Sequence, residues 1–362
     1  MKILYGVQGT GNGHITRARA MARELQACGV SVDYLFSGRE ADKFFDMTVF
    51  GDYRLRKGLT FASKEGRIRP LATLVNSQPL QFWRDVKTLD LTPYDLVVTD
   101  FEPVTAWAGK YRKVRVVGLG HQYAFHHNIP QHHGSLVQQG VLKYFAPASV
   151  SVGLHWHHFG QPILPPIAPV AASGEAVIRK HYVVYLPFES VAAIGKLLRQ
   201  FPAYNFHVYH PEVDASREGH IHWFSPGRES FQADLHRCEG VICNAGFELA
   251  SEVLQLGRKL LVKPVRGQSE QYSNALALDL LGYGHVMYDL NAAKVASWLD
   301  GAGATRVDYP NVARAICHWL LAGADGDVGT LAQTLWSATH LPDITAVTRT
   351  ENSLVNSVAL ER

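Results

Sequence analysis

The 362-residue sequence is poor in cysteine and in long apolar runs. It has four cysteines, and no two of them form a C-x-x-C pair. This scarcity excludes a disulfide scaffold, argues against a structural zinc site and favours a reducing compartment. No apolar stretch reaches the ~18 residues that a membrane-spanning helix needs. Because the chain enters a predicted strand directly at Lys2, we expect no secretory signal and a cytoplasmic protein.

Charge of one sign is also scarce. The 35 basic and 32 acidic residues give a formal net charge of +3, and 19% of all residues are charged. This balance argues against a protein that coats nucleic acid, because such binding depends on neutralising many phosphates. Apolar residues make up 47% of the chain, which is enough to bury large cores. At roughly 100–200 residues per domain, the length predicts two domains.

Short apolar runs alternate with helix-like segments along most of the chain. Runs rich in Val, Ile, Leu and aromatic residues predict strands at residues 2–7, 32–36, 95–99, 114–119, 182–186, 205–209, 221–224, 241–243 and 259–262. Apolar residues at helical spacing predict a helix over residues 15–27. A strand–helix–strand order implies parallel pairing with helical crossovers, so we expect an α/β fold.

Four prolines between residues 160 and 169 interrupt this alternation. Proline fixes φ and removes a hydrogen-bond donor, so neither a central strand nor a long helix fits there. We therefore predict two doubly wound, mostly parallel, Rossmann-like domains at residues 1–160 and 171–322, with a Pro-rich linker at 161–170. Residues 323–362 form a weakly patterned C-terminal tail, and the sequence leaves open whether it is helical and packs back on the first domain.

The first predicted strand leads into a loop with glycines at positions 6, 9, 11 and 13, followed by His14 and a helix. Four glycines in eight residues exceed what a tight turn needs and favour close approach of a ligand. The spacing fits no dinucleotide fingerprint, because its third glycine would fall at His14. It fits no P-loop either, because no lysine follows Gly13. What remains is an imidazole at a helix N-terminus, where the dipole favours the neutral form of a base.

Asp100 follows the strand predicted at residues 95–99, at the same sheet edge as His14. A histidine base needs a carboxylate that orients it, and Asp100 is placed for that role. An aspartate before a helix is equally suited to cap it. The residues alone leave both interpretations open.

A second strand, glycine turn and helix spans residues 240–252. The helix N-terminus after Asn244 and Gly246 is suited to a diphosphate, and Glu252 is suited to a ribose diol. The polar loop at residues 263–275 contains Glu270 and Gln271. These side chains are suited to sugar hydroxyls or, as the alternative, to capping a helix.

Taken together, residues 9–14, 244–252 and 270–271 resemble the GT-B nucleotide-sugar glycosyltransferases. The likeness is greatest to the MurG-like prokaryotic enzymes and more distant to the UDP-glycosyltransferases, and it runs from Lys2 to about Tyr288. It implies two Rossmann-like domains that face each other across a cleft. Residues 1–160 would be the acceptor side and residues 171–322 the nucleotide-sugar donor domain.

The resemblance implies that His14 is the catalytic base and that Asp100 orients it. On the acceptor side we predict Gly11, Asn12, Gly13, Arg17, Glu102 and His121. On the donor side we predict Ser190, Phe224, Asn244, Gly246, Phe247, Glu252, Arg266, Glu270 and Gln271. Glu248 departs from the family pattern, because a second carboxylate beside a diphosphate is unfavourable unless it turns towards a sugar hydroxyl.

The implied reaction moves a hexosyl or N-acetylhexosaminyl group from a nucleotide-diphosphate sugar, foremost a UDP-sugar, to an acceptor hydroxyl with inversion. No cofactor and no metal is required. Helix N-termini and cations such as Arg266 or Arg17 would stabilise the leaving diphosphate. The alternatives are a sugar-nucleotide epimerase on the same fold and a non-catalytic binder of nucleotide sugars or nucleic acid. The sequence does not predict whether the acceptor is lipid-linked, a small molecule or a polymer. It does not predict the oligomeric state either.

The segment from Arg54 to Arg69 carries six basic residues and one acid. It is either a solvated loop or a contact for an acidic substrate or for the inner face of a membrane. The sequence also has 18 histidines, eight of them between His121 and His158. They lack the cysteines or H-E-x-x-H helix of a metal site, so we interpret them as polar surface and cleft residues.

Overall fold

The computed structural model describes residues 1–44, 46–59, 78–132, 134, 140, 142–168, 176–301 and 303–342, and the backbone of residues 63–64 and 67–68. No helix among these residues is both long enough and apolar enough to cross a membrane. Most of the basic segment from Arg54 to Arg69 lies outside the residues whose side chains are described. Its role therefore stays a prediction.

The first half of the chain forms a six-stranded parallel sheet with the order β3-β2-β1-β6-β7-β8. A separate antiparallel hairpin, β4–β5, follows β3. The strands are β1 (Lys2–Gln8), β2 (Ser31–Ser37), β3 (Tyr53–Arg56), β4 (Ser63–Lys64), β5 (Arg67–Ile68), β6 (Leu96–Asp100), β7 (Val116–Gly120) and β8 (Val150–Gly153).

The second half forms a seven-stranded sheet with the order β11-β12-β10-β9-β13-β14-β15. Its strands are parallel except for β11, which is antiparallel to β12. The strands are β9 (His181–Tyr185), β10 (Asn205–Tyr209), β11 (Ser216–Glu218), β12 (Ile221–Phe224), β13 (Gly240–Asn244), β14 (Lys259–Lys263) and β15 (His285–Val286).

Helices cover both faces of each sheet. They are α1 (Asn12–Ala27), α2 (Pro79–Thr88), α3 (Pro103–Arg112), α4 (Val191–Leu198), α5 (Arg228–Arg237), α6 (Phe247–Leu256), α7 (Ser269–Leu280), α8 (Ala292–Asp300), α9 (Val312–Leu321) and α10 (Val328–Ser337). Short 3-10 turns lie at Ala41–Lys43, Thr48–Phe50 and His121–His126.

Alternate residues of β1 pack on opposite faces of the first sheet. Ile3 and Tyr5 join the core beneath α1, whereas Leu4 packs with Phe82 and Val104 from α2 and α3. A strand covered on both faces has to be apolar throughout, which is why it appears in the sequence as an unbroken apolar run.

The expected α/β fold with two Rossmann-like domains is confirmed. All nine predicted strands are present, and their ends lie within two residues of the expected positions. The predicted first helix begins three residues earlier, at Asn12 rather than Ile15, so that His14 lies in its first turn.

The end of the described chain returns to the first domain. Helix α9 packs on α1, where the Sγ atoms of Cys28 and Cys317 are 3.4 Å apart. Further along, the Trp336 indole donates a hydrogen bond of 2.7 Å to the Ile163 carbonyl in the Pro-rich segment. These contacts join the C-terminal helices to the first domain and to the Pro-rich segment. The domain boundaries drawn from the sequence stay predictions.

Candidate active site

Each sheet has one point where the strand order reverses. In the first sheet this switch point lies between β1 and β6, and in the second between β9 and β13. Open α/β sheets bind ligands beyond the carboxyl ends of the strands at such points. His14 follows β1 and Asp100 ends β6, so the two residues flank the first switch point.

His14 and Asp100 form a dyad. The Nδ1 atom of His14 lies 2.7 Å from Oδ1 of Asp100. A carboxylate is a strong acceptor, so we assign the proton to Nδ1, which leaves Nε2 as the free lone pair. The His14 side chain is 12% exposed, whereas that of Asp100 is fully buried. The exposed part of this pair therefore belongs to His14.

Arg17 also binds Asp100, and its Nη2 lies 2.9 Å from Nδ1 of His14. Its Nε donates to Oδ2 of Asp100 at 2.8 Å, and its Nη2 donates to Oδ1. Burial alone would raise the pKa of Asp100, but Arg17 and His14 outweigh burial and hold that pKa below its usual value. Asp100 is thus an ionised carboxylate with a fixed orientation.

Glu102, and not Asp100, caps the following helix. Its Oε1 accepts from the Val104 amide at 2.8 Å, and its Oε2 accepts from the Thr105 amide at 2.7 Å. Phe101 between them has a φ of +51°, a left-handed conformation that is rare outside glycine. This turn separates the two carboxylates. Asp100 is left for His14, while Glu102 is fully buried in the cap. The acceptor-side role of Glu102 stays a prediction.

Glu248 from α6 reaches the dyad across the domain boundary. Its carboxylate accepts a hydrogen bond from Nη1 of Arg17, and both side chains are buried. A Cβ at Gly13 would lie 2.9 Å from the Glu248 side chain, so this close approach requires a glycine there. Burial raises the pKa of Glu248 to about 8, against the opposing effect of Arg17. The second carboxylate near the predicted diphosphate site is thus bound by a guanidinium.

His121 and Phe247 close the boundary between the domains. Their rings stack with centroids 3.9 Å apart and planes 4° apart. The Nε2 atom of His121 lies 2.7 Å from Oδ1 of Asn274, whose amide donates to the Ala245 carbonyl at 2.9 Å. Burial lowers the pKa of His121. In this structure both predicted ligand contacts, His121 and Phe247, bind the opposite domain.

At the second switch point, no side chain among the described residues caps the N-terminus of α6. Gly246 is the N-cap of α6, and no described atom lies within 4 Å of a Cβ placed on it. The amide of Asn244 donates to the Lys263 carbonyl at 3.0 Å, while its Oδ1 is buried without a partner among the described residues. Nearby, Nζ of Lys263 donates to Glu189 at 2.6 Å.

The remaining predicted donor residues are dispersed around this helix. Glu252 accepts from Gln232 at 3.0 Å, and Glu270 lies 3.2 Å from the amide of Gln122 in the first domain. The other members make local contacts: Ser190 caps α4, Phe224 stacks on Tyr209, Arg266 pairs with Asp289, and Gln271 accepts from the Val265 amide. On the first domain, Asn12 donates to the Tyr185 hydroxyl at 3.3 Å, and Gly11 caps α1.

Sequence reasoning missed Lys263 and Asn274 and did not identify the partner of Glu248. Lys263 ends β14 beside Asn244, in the turn predicted to bind the diphosphate, and a cation at that strand end was the available signal. Asn274 carries no comparable signal, because its contact with His121 joins residues that are 153 positions apart.

Two Rossmann-like domains with facing switch points define the GT-B class of glycosyltransferase. The chain belongs to glycosyl transferase family 1, whose family model matches residues 1–302. It is a glycosyltransferase. A sequence comparison with curated proteins finds no match.

Solved structures with the same fold span nearly the whole chain. The kitacinnamycin glycotransferase is 14% identical, with 94% of this chain and 99% of its own covered and a TM-score of 0.58. The spinosyn forosaminyltransferase SpnP is 11% identical, with 98% and 99% covered and a TM-score of 0.55. SnogD from Streptomyces nogalater is 17% identical, with 92% and 98% covered and a TM-score of 0.53. At these identities the likeness shows the fold alone.

Proposed function

We propose that this glycosyltransferase moves a sugar from a nucleotide-diphosphate sugar to an acceptor hydroxyl with inversion, and that His14 is the general base. The observation that carries the proposal is the dyad of His14 and Asp100 at one switch point, opposite an uncapped helix N-terminus at the other. A base and an anion site that face each other are what a displacement at an anomeric carbon requires.

In the proposed step, Nε2 of His14 takes the proton of the acceptor hydroxyl as its oxygen bonds to the anomeric carbon. The bond from that carbon to the diphosphate oxygen breaks at the same time, and its electron pair leaves with the nucleoside diphosphate. Asp100 holds the Nδ1 proton and stabilises the imidazolium that forms. Attack opposite to the leaving group inverts the anomeric configuration.

The leaving diphosphate is stabilised by the first-turn amides of α6 and by Lys263. A helix N-terminus carries about half a positive charge and free N–H donors. Lys263 ends β14 beside Asn244, and it has to exchange Glu189 for the diphosphate, just as Arg266 would have to exchange Asp289. Arg17 is held by both Asp100 and Glu248. With this charge provided by the protein, the reaction needs no metal.

The donor is a nucleotide sugar, foremost a UDP-sugar. Glu252 lies in α6 beyond the phosphate turn, where a carboxylate can accept from both ribose hydroxyls. The side-chain oxygens of Asn12 and Asn244 are buried without partners among the described residues. Sugar hydroxyls are donors that would satisfy them. For substrates to enter, the contacts of Arg17 with Glu248 and of His121 with Asn274 have to separate, as in lid opening.

A panel of UDP-, dTDP- and GDP-sugars tests the proposal, first by thermal shift and then by turnover with hydroxyl acceptors. A donor that binds the folded state raises the melting temperature. We expect a β-configured product from an α-configured donor, activity that does not depend on added Mg²⁺ or Mn²⁺, and loss of turnover in His14→Ala. Unchanged turnover in that variant would refute His14 as the base. A new sugar nucleotide formed without acceptor would favour an epimerase, and binding without turnover would favour a binding protein.

A further inference from the structure

A second cluster of titratable side chains lies in the donor domain, at the end of the sheet opposite its switch point. His181 is the first residue of β9, His207 is the third residue of β10, and Asp234 lies in α5. Since β9 and β10 are parallel neighbours and α5 contacts β9, the three side chains meet between sheet and helix. None of them was selected by sequence analysis.

The distances within this cluster suit a bound ion. Oδ2 of Asp234 accepts hydrogen bonds of 2.6 Å from Nδ1 of His207 and from the Tyr209 hydroxyl. Its Oδ1 lies 3.7 Å from Nε2 of His181. One donor atom from each of His181, His207 and Asp234 lies within 4.8 Å of the others. Among the residues that the structure describes, this is the one set of three His, Cys, Asp or Glu side chains arranged so closely.

His181 supplies an independent indication of a ligand. The residue is 5% exposed, yet its Nε2 has no hydrogen-bond partner among the described residues. A buried polar atom without a partner costs about 1–3 kcal/mol. The separation of 3.7 Å from Asp234 is too long for a hydrogen bond. It is close to the distance of about 3.4 Å between two ligands of a tetrahedral ion with bonds of 2.0–2.1 Å.

The donor set indicates the class of ion. Two imidazoles and a carboxylate suit borderline divalent metals such as Zn²⁺, Co²⁺ and Ni²⁺ rather than Ca²⁺ or Mg²⁺, which prefer oxygen. An ion in this cluster would take the place of the proton shared by Nδ1 of His207 and Oδ2 of Asp234, so that both side chains would bind it directly. The ring of His222 is 4.9 Å from that of His207 and offers a further nitrogen.

We propose that His181, His207 and Asp234 form a binding site for a divalent transition metal, with Zn²⁺ as the expected ion and His222 as the neighbouring fourth donor. The site is structural and separate from the reacting centre. It joins β9 and β10 to α5, and the loop at residues 225–227 connects α5 to Phe224, one of the predicted donor-side residues. Metal binding therefore stabilises the donor domain and holds that loop in place.

The test uses the full-length protein, first treated with a chelator and then titrated with Zn²⁺ and with Co²⁺. We expect one tightly bound ion per chain, a higher melting temperature with Zn²⁺, and the visible absorption bands of tetrahedral Co²⁺. His207→Gln and Asp234→Asn should each lower the Zn²⁺ affinity by at least roughly tenfold. Both should also remove the Co²⁺ bands. Far-UV circular dichroism of the metal-free variants verifies that they fold.

The double variant His157→Ala and His158→Ala is the matched control. These two rings also stack, with centroids 4.7 Å apart, but they lie outside the cluster. The variant should retain the ion, the Co²⁺ bands and the Zn²⁺-induced rise in melting temperature. Equal loss in the control and in the cluster variants would overturn the proposal, as would Zn²⁺ that binds without raising the melting temperature. Because the readouts are binding and stability, they are independent of whether His14 is the base.

Discussion

At the switch point of the first sheet, His14, Arg17 and Asp100 already bind one another. At that of the second sheet, no side chain in the described part of the chain caps α6 or binds the oxygen of Asn244. In the first region, hydrogen bonds fix the orientation of the proposed catalytic side chains before any substrate binds. The second resembles a binding surface that is completed by its ligand. Substitutions in the two regions should therefore have different kinetic signatures.

The largest effect is expected in the first region, at the proposed base. His14→Ala should lower turnover by roughly 10²- to 10⁴-fold, which is the usual contribution of a positioned general base. Donor affinity should change little, because in the proposal His14 faces the acceptor. Initial rates and equilibrium donor binding separate the two quantities. If His14→Ala lost donor affinity but retained turnover, the first region would bind the donor and would not supply the base.

The next effect concerns stability. Arg17→Ala leaves the buried Asp100 carboxylate, with Glu248 beside it, without its cation. Breaking a buried pair in this way costs about 3–5 kcal/mol. Urea unfolding at neutral pH measures the loss. Arg19→Ala is the matched control, because Arg19 is also buried in α1 but binds the Asp46 carbonyl at 3.0 and 3.1 Å and an exposed carboxylate, that of Asp46, at 3.7 Å. If both variants lost the same free energy of unfolding, the ion pairs of Arg17 would stabilise the protein no more than the contacts of Arg19 do.

The second region should respond in binding rather than in turnover. Lys263→Met removes the cation beside the phosphate turn and should weaken donor binding by about 1.5–3 kcal/mol, or roughly tenfold to a hundredfold. Turnover at saturating donor should fall much less. Lys259→Met changes the other end of β14, where the ammonium pairs with Glu239 at 3.6 Å, and should leave donor binding intact. Equal weakening in both variants would contradict the assignment of Lys263.

The central strands were predictable from the sequence because parallel strands covered on both faces are continuous apolar runs. The edge strand β3 (Tyr53–Arg56) was not, because its two arginines break the apolar pattern. His14 and Asp100 could be found because both residues follow strands of the same sheet. The choice between base partner and helix cap could not be made, since it depends on the left-handed turn at Phe101.

Contacts across the domain boundary were beyond sequence reasoning. Arg17 and Glu248 are 231 positions apart, and neither residue carries a local sign of the other. The stacking of His121 on Phe247 is a second such contact, and the sequence suggested a ligand contact for each residue instead. Each follows a strand at a ligand-binding edge, and their stacking on each other depends on how the two domains meet.

The smallest effect is expected at the contact between Arg17 and Glu248, which links the two regions. Burial raises the pKa of Glu248 to about 8, so the folded protein holds this proton more tightly than the unfolded chain does. The stability that results is fully present below the ordinary pKa of a glutamate. It is lost as the pH rises towards 8, with a slope of at most about 1.4 kcal/mol per pH unit for one proton.

Glu248→Gln mimics the protonated side chain and should flatten this part of the stability curve. Urea unfolding of both proteins from roughly pH 7 to 8.5 measures it, a range above the titration of ordinary histidines. Burial lowers the pKa of His121 and of His155, so their contributions are lost as the pH falls and do not interfere there. Parallel curves for the two proteins would mean that Glu248 is already ionised at pH 7. Arg17 would then outweigh burial, and the first region would extend across the boundary as one permanent ion network.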